Sequence, residues 1–329
     1  MKPSQVKAAL KFTVLQQQRP CMVWGPIGAG KSDVIAQLAD ENGLDLIDKR
    51  LAQSDPTEIK GYPWPDQEKK VMTFFRDEEL PTKGKGILFL DELVSAPQAV
   101  QAVAYQLILN RRIGKYELPK GWNVIAAGNR MTDRSVVHAM PAALSNRFVH
   151  IDFVPDMDDW SDWALKNGIS DGTRGYLRYR PANLFTDRPE PGQHAFPSPR
   201  TWAFADQIIH SKLEPAVELE LLRGTIGEGA AVEYMGFMRE AKNLPNLDRI
   251  LLNPDSVPVP ESQSTCYAIV TALEARTTPS NFDTVLKYIK RMPKEFEVVF
   301  MSTMSRKGDE YCETQAMTDW LRENRSILR

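Results

Sequence analysis

The chain has 329 residues, room for two domains of ordinary size, with 42% apolar residues, 26% charged residues and a formal net charge of −2. That balance is a soluble globular protein's and argues against a nonspecific duplex-binding surface, since a basic face would have to be local. No window approaches the roughly 18 apolar residues of a membrane span. The N-terminus lacks a signal-peptide pattern, and Cys21, Cys266 and Cys312 form no CxxC pair, so a reducing, cytoplasmic setting is expected.

In chain order, Ser4 can cap a first helix that runs to about Gln18 and ends at Pro20. Cys21–Trp24 is a short apolar strand, with Cys21 expected as a buried thiol, and it leads into a glycine loop. A helix from Lys31 buries Val34, Ile35 and Leu38 and ends near Asn42-Gly43. Leu44–Leu51 reads as a second strand. Over 54–85 prolines, aromatics and charges mix, and no regular element is expected. Ile87–Asp91 is a continuous apolar strand of the kind buried on both faces of a parallel sheet. Ala99–Ile108 repeats as a helix, Arg111–Leu118 as a hairpin turning at Gly114, and Asn123–Ala127 as another buried strand. Pro141–Ser145 is a short helix and Phe148–Val154 the last strand.

Strands alternating with helices predict a three-layer α/β core with a mostly parallel sheet, over 1–155. Gly172–Arg200 is rich in Pro, Arg and Gly and is expected to loop over the surface. Helical patterns follow at Thr201–Leu213, Glu218–Leu222, Cys266–Arg276 and Phe282–Ile289, so 156–329 is expected to be all-α, with a break at 253–260.

The chemistry concentrates in Gly25-Pro26-Ile27-Gly28-Ala29-Gly30-Lys31-Ser32, which fits G-x-x-x-x-G-K-[ST] with a strand before it and a helix after it. Glycines let backbone N–H groups converge on phosphate oxygens at a helix N-terminus, Lys31 adds a point charge, and Ser32 offers a hydroxyl to Mg²⁺. Asp91, at the carboxyl end of a buried strand, can hold the Mg²⁺ shell, directly or through a water, and Glu92 can polarise a water for in-line attack. An activated water points to hydrolysis rather than transfer to an acceptor hydroxyl. Asn129, ending the strand after Gly128, can orient that water. Arg147 and Arg200 are candidates for neutralising charge on a transferring phosphoryl group, although each read alone suits a surface ion pair.

Together these motifs resemble an AAA+ ATPase, and more narrowly the MoxR branch. The ordered matches are the glycine loop Gly25–Ser32, the LDE of Leu90–Glu92, the AAGN ending at Asn129, the SNRF of Ser145–Phe148 and the SPR of Ser198–Arg200. Pro97 with Val100-Gln101, and Asp55–Tyr62, add smaller matches. The resemblance is close over about 20–155 and only regional beyond. It implies ATP with Mg²⁺ bound between neighbours in a homo-oligomeric, usually hexameric ring. Asn129 would be the sensor-1 residue, Arg147 a finger into the adjacent subunit's site, and Arg200 the sensor-2 arginine of a helical lid. Residues 54–85 would be the helix-2 insert and Arg111–Leu118 the pre-sensor-1 hairpin. Family members remodel or activate a client protein, often with a partner carrying a von Willebrand factor A domain. Adenine over guanine follows from the resemblance, and no N/TKxD motif is present.

The sequence departs from that pattern in the long segment Gly168–Pro199 and in a continuation to Arg329 that has no assigned role. Gly61-Tyr62-Pro63-Trp64-Pro65 reads equally as a substrate-gripping loop or as a rigid turn packed on its own insert. Arg174, Arg178, Arg180 and Arg188, interleaved with Tyr176 and Tyr179, could stack on single-stranded nucleic acid or form a solvated face. His138, His150, His194 and His210 lack metal-ligand spacing. Two other function classes therefore stand beside the remodelling ring: a nucleic-acid-dependent motor of the same fold, and a nucleotide-gated scaffold that hydrolyses little.

Overall fold

The first half is organised by five strands, the three central ones buried on both faces and the two edge ones partly exposed. In the computed structural model, which describes residues 1–130, 140–190, 192–241 and 244–324, these are β1 (Cys21–Trp24), β2 (Asp45–Arg50), β5 (Gly86–Asp91), β8 (Trp122–Gly128) and β9 (Val149–Asp152). All pair in parallel in the order β2-β5-β8-β1-β9. Side chains alternate between two cores, as a period of two requires. Met22, Leu88, Leu90, Val124 and Ala126 join α4 (Gln98–Asn110) on one face. Cys21, Val23, Ile87, Phe89, Ile125 and Ala127 join α1 (Pro3–Leu10) and α2 (Lys31–Glu41) on the other. This is the three-layer arrangement. β1 lies between β8 and β9, both later in the chain, while the next strand in sequence, β2, pairs at the far edge of the sheet, so the carboxyl end of β1 faces the crevice where such sheets bind ligands.

The chain divides into two compact units, Met1–Asp156 and Met157–Arg329. Within the first, two segments differ from expectation. The opening helix changes to π-helical winding over Lys11–Gln16, where Thr13 Oγ1 bonds back to the Ala9 carbonyl at 2.7 Å and meets Cys21 Sγ at 3.0 Å. The segment 54–85 is ordered. Asp55 caps α3 (Pro56–Lys60), and β3 (Tyr62–Asp66) pairs antiparallel with β4 (Val71–Phe75). Pro63 and Pro65 hide this strand from propensity reasoning, yet as alternate residues their missing N–H groups fall together on one edge. The rings of Tyr62, Trp64 and Phe75 are mostly exposed, and Trp64 also contacts Phe75 across the hairpin. The expected second hairpin forms as β6 (Arg112–Ile113) and β7 (Tyr116–Glu117), and α5 (Ala142–Ser145) precedes β9.

Among the described residues, the regular elements of the second unit are all helices: α6 (Met157–Lys166), α7 (Asp171–Tyr179), α8 (Pro199–Ile209), α9 (Pro215–Ile226), α10 (Glu228–Ala241), α11 (Leu247–Leu252), α12 (Gln263–Arg276), α13 (Phe282–Ile289), α14 (Lys294–Lys307), α15 (Asp309–Cys312) and α16 (Gln315–Glu323), with a short 3₁₀ turn at Pro181–Leu184. The expected surface loop over Gly172–Arg200 is corrected in its first part. α7, capped by Ser170, is buried, with Arg174, Tyr176 and Leu177 almost inaccessible. Arg178 looks solvent-seeking in sequence because its partner, the buried Glu274 of α12, is distant, whereas Arg174 pairs within the helix with Asp171. The continuation to the C-terminus has its own core, with Phe282, Phe296, Phe300, Met301 and Trp320 packed among α12, α13, α14 and α16. None of the described helices is long and apolar enough to cross a membrane. His138 lies outside the described residues.

Candidate active site

The carboxyl ends of β1, β5 and β8 bring the site together. β1 ends at Trp24, and the Gly25 N–H donates to the Gly128 carbonyl at 3.2 Å, tying the start of the loop to the end of β8. A Cβ on Gly25 would lie 3.0 Å from the Phe153 carbonyl oxygen and 3.1 Å from Phe153 Cβ, so any larger residue would push the Phe153 backbone aside by a few tenths of an ångström. Gly28 and Gly30 hold φ of +74° and +99°, the left-handed conformations that turn successive N–H groups to one side. Gly30 is also the N-cap of α2. The first intrahelical bond is Val34 N–H to Gly30 O at 3.1 Å, so the Ser32 and Asp33 N–H groups precede the helix ladder and face the loop end. Pro26 and Ala29 are buried, and Ile27 is exposed at the tip. The cradle therefore fits a chain of phosphates.

Lys31 folds over this cradle, donating to Gly25 O at 2.6 Å, Pro26 O at 2.8 Å and Asn129 Oδ1 at 3.1 Å. Ser32 Oγ donates to Asp91 Oδ2 at 3.1 Å, which places a hydroxyl and a carboxylate oxygen side by side, the hard-oxygen pair that suits Mg²⁺. The other Asp91 oxygen accepts the Glu92 N–H at 2.9 Å. Glu92 itself sits at φ +56°, a left-handed conformation costly for a residue with a Cβ. Among the described residues its carboxylate has no hydrogen-bond or ion-pair partner. Gly128 is required just before Asn129, since a Cβ there would meet Val94 Cγ2 at 2.6 Å and Met22 Cε at 2.7 Å.

Lys31, Ser32, Asp91, Glu92 and Asn129 are thus assembled from positions far apart in sequence. Arg147 is exposed in the turn after α5 and makes no hydrogen bond to any of them. Arg200 belongs to the second unit, exposed on the first turn of α8, whose N-terminus Ser198 caps by accepting from the Thr201 N–H at 3.2 Å. Two neighbours escaped sequence reasoning. Asp48 on β2 has its carboxyl pushed up by partial burial and then by the charge of Asp91, with Arg50 pulling it back. His150 on β9 accepts from Trp24 Nε1–H at 2.8 Å. Neither lies in a motif, because what distinguishes each is a neighbour on another strand.

Residues 21–156 match the family model described as "ATPase family associated with various cellular activities (AAA)". Over this segment, less than half of the chain, the protein is similar to that family. Among solved structures, the chain is similar to a mutant of Thermotoga maritima RuvB at 15% identity, over 86% of this chain and 87% of that one, with a TM-score of 0.44. It is similar to NtrX from Brucella abortus at 15% identity, over 93% of this chain and 64% of that one, with a TM-score of 0.36. No curated protein matches the chain. For this segment, the family implies nucleotide binding and ATPase activity, and the cradle, the Ser32–Asp91 pair and Glu92 are the residues of this chain that suit them.

Proposed function

We propose that the chain is an ATP-hydrolysing remodelling ATPase of MoxR type, cytoplasmic, that works as a homo-oligomeric ring, six subunits in the family pattern, on a client protein. A partner carrying a von Willebrand factor A domain belongs to the same reading. The observation that carries hydrolysis is the Glu92 carboxylate, without a partner among the described residues, beside an Asp91 already engaged by Ser32 and by the Glu92 N–H. In this reading the N–H groups of the loop hold the phosphates and Lys31 neutralises the outer ones. Ser32 and Asp91 hold Mg²⁺, which supplies further neutralisation of the phosphate charge when bound. Glu92 takes a proton from the attacking water as its oxygen bonds to the terminal phosphorus and the bond to the leaving ADP oxygen breaks. Asn129 orients that water. Arg147 serves the neighbouring subunit's site, and Arg200 is the sensor-2 arginine of the lid.

The nucleic-acid motor loses part of its sequence support, because Arg174 and Arg178 are buried and ion-paired, while Arg180 and Arg188 are exposed. The scaffold reading differs in rate alone. The deciding experiment is specific ATPase activity against protein concentration at saturating Mg-ATP. A rate that rises and plateaus, and that falls in Arg147→Ala, supports sites formed between subunits. A flat rate from a monomer on a sizing column overturns the ring and the role of Arg147. A rate indistinguishable from zero in assembled protein would support the scaffold.

A further inference from the structure

Arg147 has no ion-pair partner among the described residues, so its position is set by the backbone turn that carries it. That turn is wound tightly: Asn146 N–H donates to Ala142 O at 3.0 Å, Arg147 N–H to Leu144 O at 2.8 Å and Phe148 N–H to Ser145 O at 3.2 Å. The Ser145 carbonyl receives a second donor from outside the turn. His150 Nε2 lies 2.8 Å from Ser145 O and 3.2 Å from Ser145 Oγ.

The other ring nitrogen of His150 decides the direction of these bonds. Trp24 Nε1 is 2.8 Å from His150 Nδ1, and an indole N–H can only donate. Nδ1 is therefore the bare nitrogen, the imidazole is neutral, and its proton sits on Nε2, where it is donated to Ser145. The two rings lie nearly parallel, 14° apart with centroids at 5.9 Å, and the buried Phe148 ring also meets the imidazole in a T-shaped contact at 6.2 Å. Strand pairing places Met22 opposite His150 and Trp24 opposite Asp152, so Trp24 reaches His150 diagonally across adjacent parallel strands.

A single imidazole thus spans two segments. On one side is Trp24, the residue before Gly25 at the mouth of the phosphate cradle. On the other is the carbonyl two residues before Arg147. We infer that His150 is a positioning residue that couples the phosphate loop of one subunit to the arginine that this subunit presents to its neighbour. The inference rests on the proposed action of Arg147 between subunits. Nucleotide that shifts the start of the loop shifts Trp24, and the bridge carries that displacement to the Arg147 turn. Each link is a neutral hydrogen bond at the surface, so its loss costs a modest factor in rate rather than the whole activity.

The test uses the full chain, assembled, at saturating Mg-ATP. His150→Ala and Trp24→Phe should each lower kcat by roughly 5- to 30-fold and leave the KM for ATP within about twofold, and neither should lower kcat further in an Arg147→Ala background. His150→Asn, which keeps an acceptor for the indole, should recover part of the loss. Mixed oligomers then separate the two subunits' contributions. Glu92→Gln subunits, whose own sites are stalled but whose Arg147 turn is intact, should restore turnover to both Arg147→Ala and His150→Ala subunits. If they restore Arg147→Ala but not His150→Ala, the imidazole serves its own subunit's loop and the inference is overturned while the reading of Arg147 stands. If Arg147→Ala alone leaves kcat unchanged, or the mixture does not restore it, the reading of Arg147 itself fails. A loss of kcat in His150→Ala that multiplies with the loss in Arg147→Ala also overturns the inference.

Discussion

Lys31 and Asn129, 98 positions apart, are joined by a 3.1 Å hydrogen bond, and the same ammonium donates to Gly25 O and Pro26 O. Phosphate oxygens entering the cradle compete for this ammonium, and a Lys31 drawn toward them releases Asn129 to turn toward a water. Lys31→Ala should therefore abolish nucleotide binding in a titration with fluorescent nucleotide. Asn129→Ala should still bind and turn over about a hundredfold more slowly, as expected when one preorganised polar contact to the reacting centre is removed. Equal loss of binding in both variants would contradict this division of labour.

Glu92 combines a carboxylate that has no partner among the described residues with a left-handed backbone at φ +56°. Glu92→Gln should retain nucleotide affinity while single-turnover hydrolysis falls about 10²- to 10⁴-fold, the usual contribution of a general base. Glu92→Gly should lose hydrolysis equally yet melt no lower than the parent, because glycine adopts this conformation without the cost of a Cβ. Hydrolysis by Glu92→Gln at the parent rate would remove the base assignment.

Gly25 passes the Phe153 backbone so closely that a methyl group would sit 3.0 Å from its carbonyl oxygen. Backbone cannot yield as a flexible side chain can. Gly25→Ala should cost about 1–3 kcal/mol in urea unfolding and weaken nucleotide binding, since the displaced segment is the start of the cradle. Unchanged affinity at unchanged stability would mean the loop relaxes freely here.

In the second unit the Arg178 guanidinium bonds to Glu274 and, at 3.0 Å, to Thr303 Oγ1. Burial pushes the Glu274 carboxyl above its ordinary 4.5, and Arg178 pulls it back. A carboxyl raised on folding contributes stability that is complete below about pH 4.5 and is lost as the pH climbs through the folded value. Arg178→Ala removes the counter-charge, so at neutral pH it should destabilise by about 3–5 kcal/mol. The deficit should shrink as the pH falls toward 4.5 and Glu274 takes up a proton. Urea melts across this range would show it. A deficit independent of pH would mean that packing alone is lost.

Where side-chain spacing is local, the site is legible in sequence. The cradle is one such case, since Gly25, Gly30, Lys31 and Ser32 carry their meaning in their intervals and in the strand and helix on either side. The apolar run Ile87–Leu90 is another, because a strand covered on both faces has no polar alternation to show. The hairpin of β3 and β4 was hidden by its prolines, and α7 by arginines, of which Arg178 has a remote, buried partner.

The sequence by itself determined the alternation of strands and helices, the phosphate cradle, and the identity of the acids and amide that face it, because each follows from periods of two to four residues or from a motif's fixed intervals. Only the tertiary structure decided that Arg178 is spent on Glu274, 96 positions away, and that Trp24 meets His150 across 126 positions. Such pairings depend on the strand order β2-β5-β8-β1-β9 and on helix packing. A buried charge or a ring nitrogen is satisfied by whatever the fold places beside it, and local spacing carries no record of that neighbour.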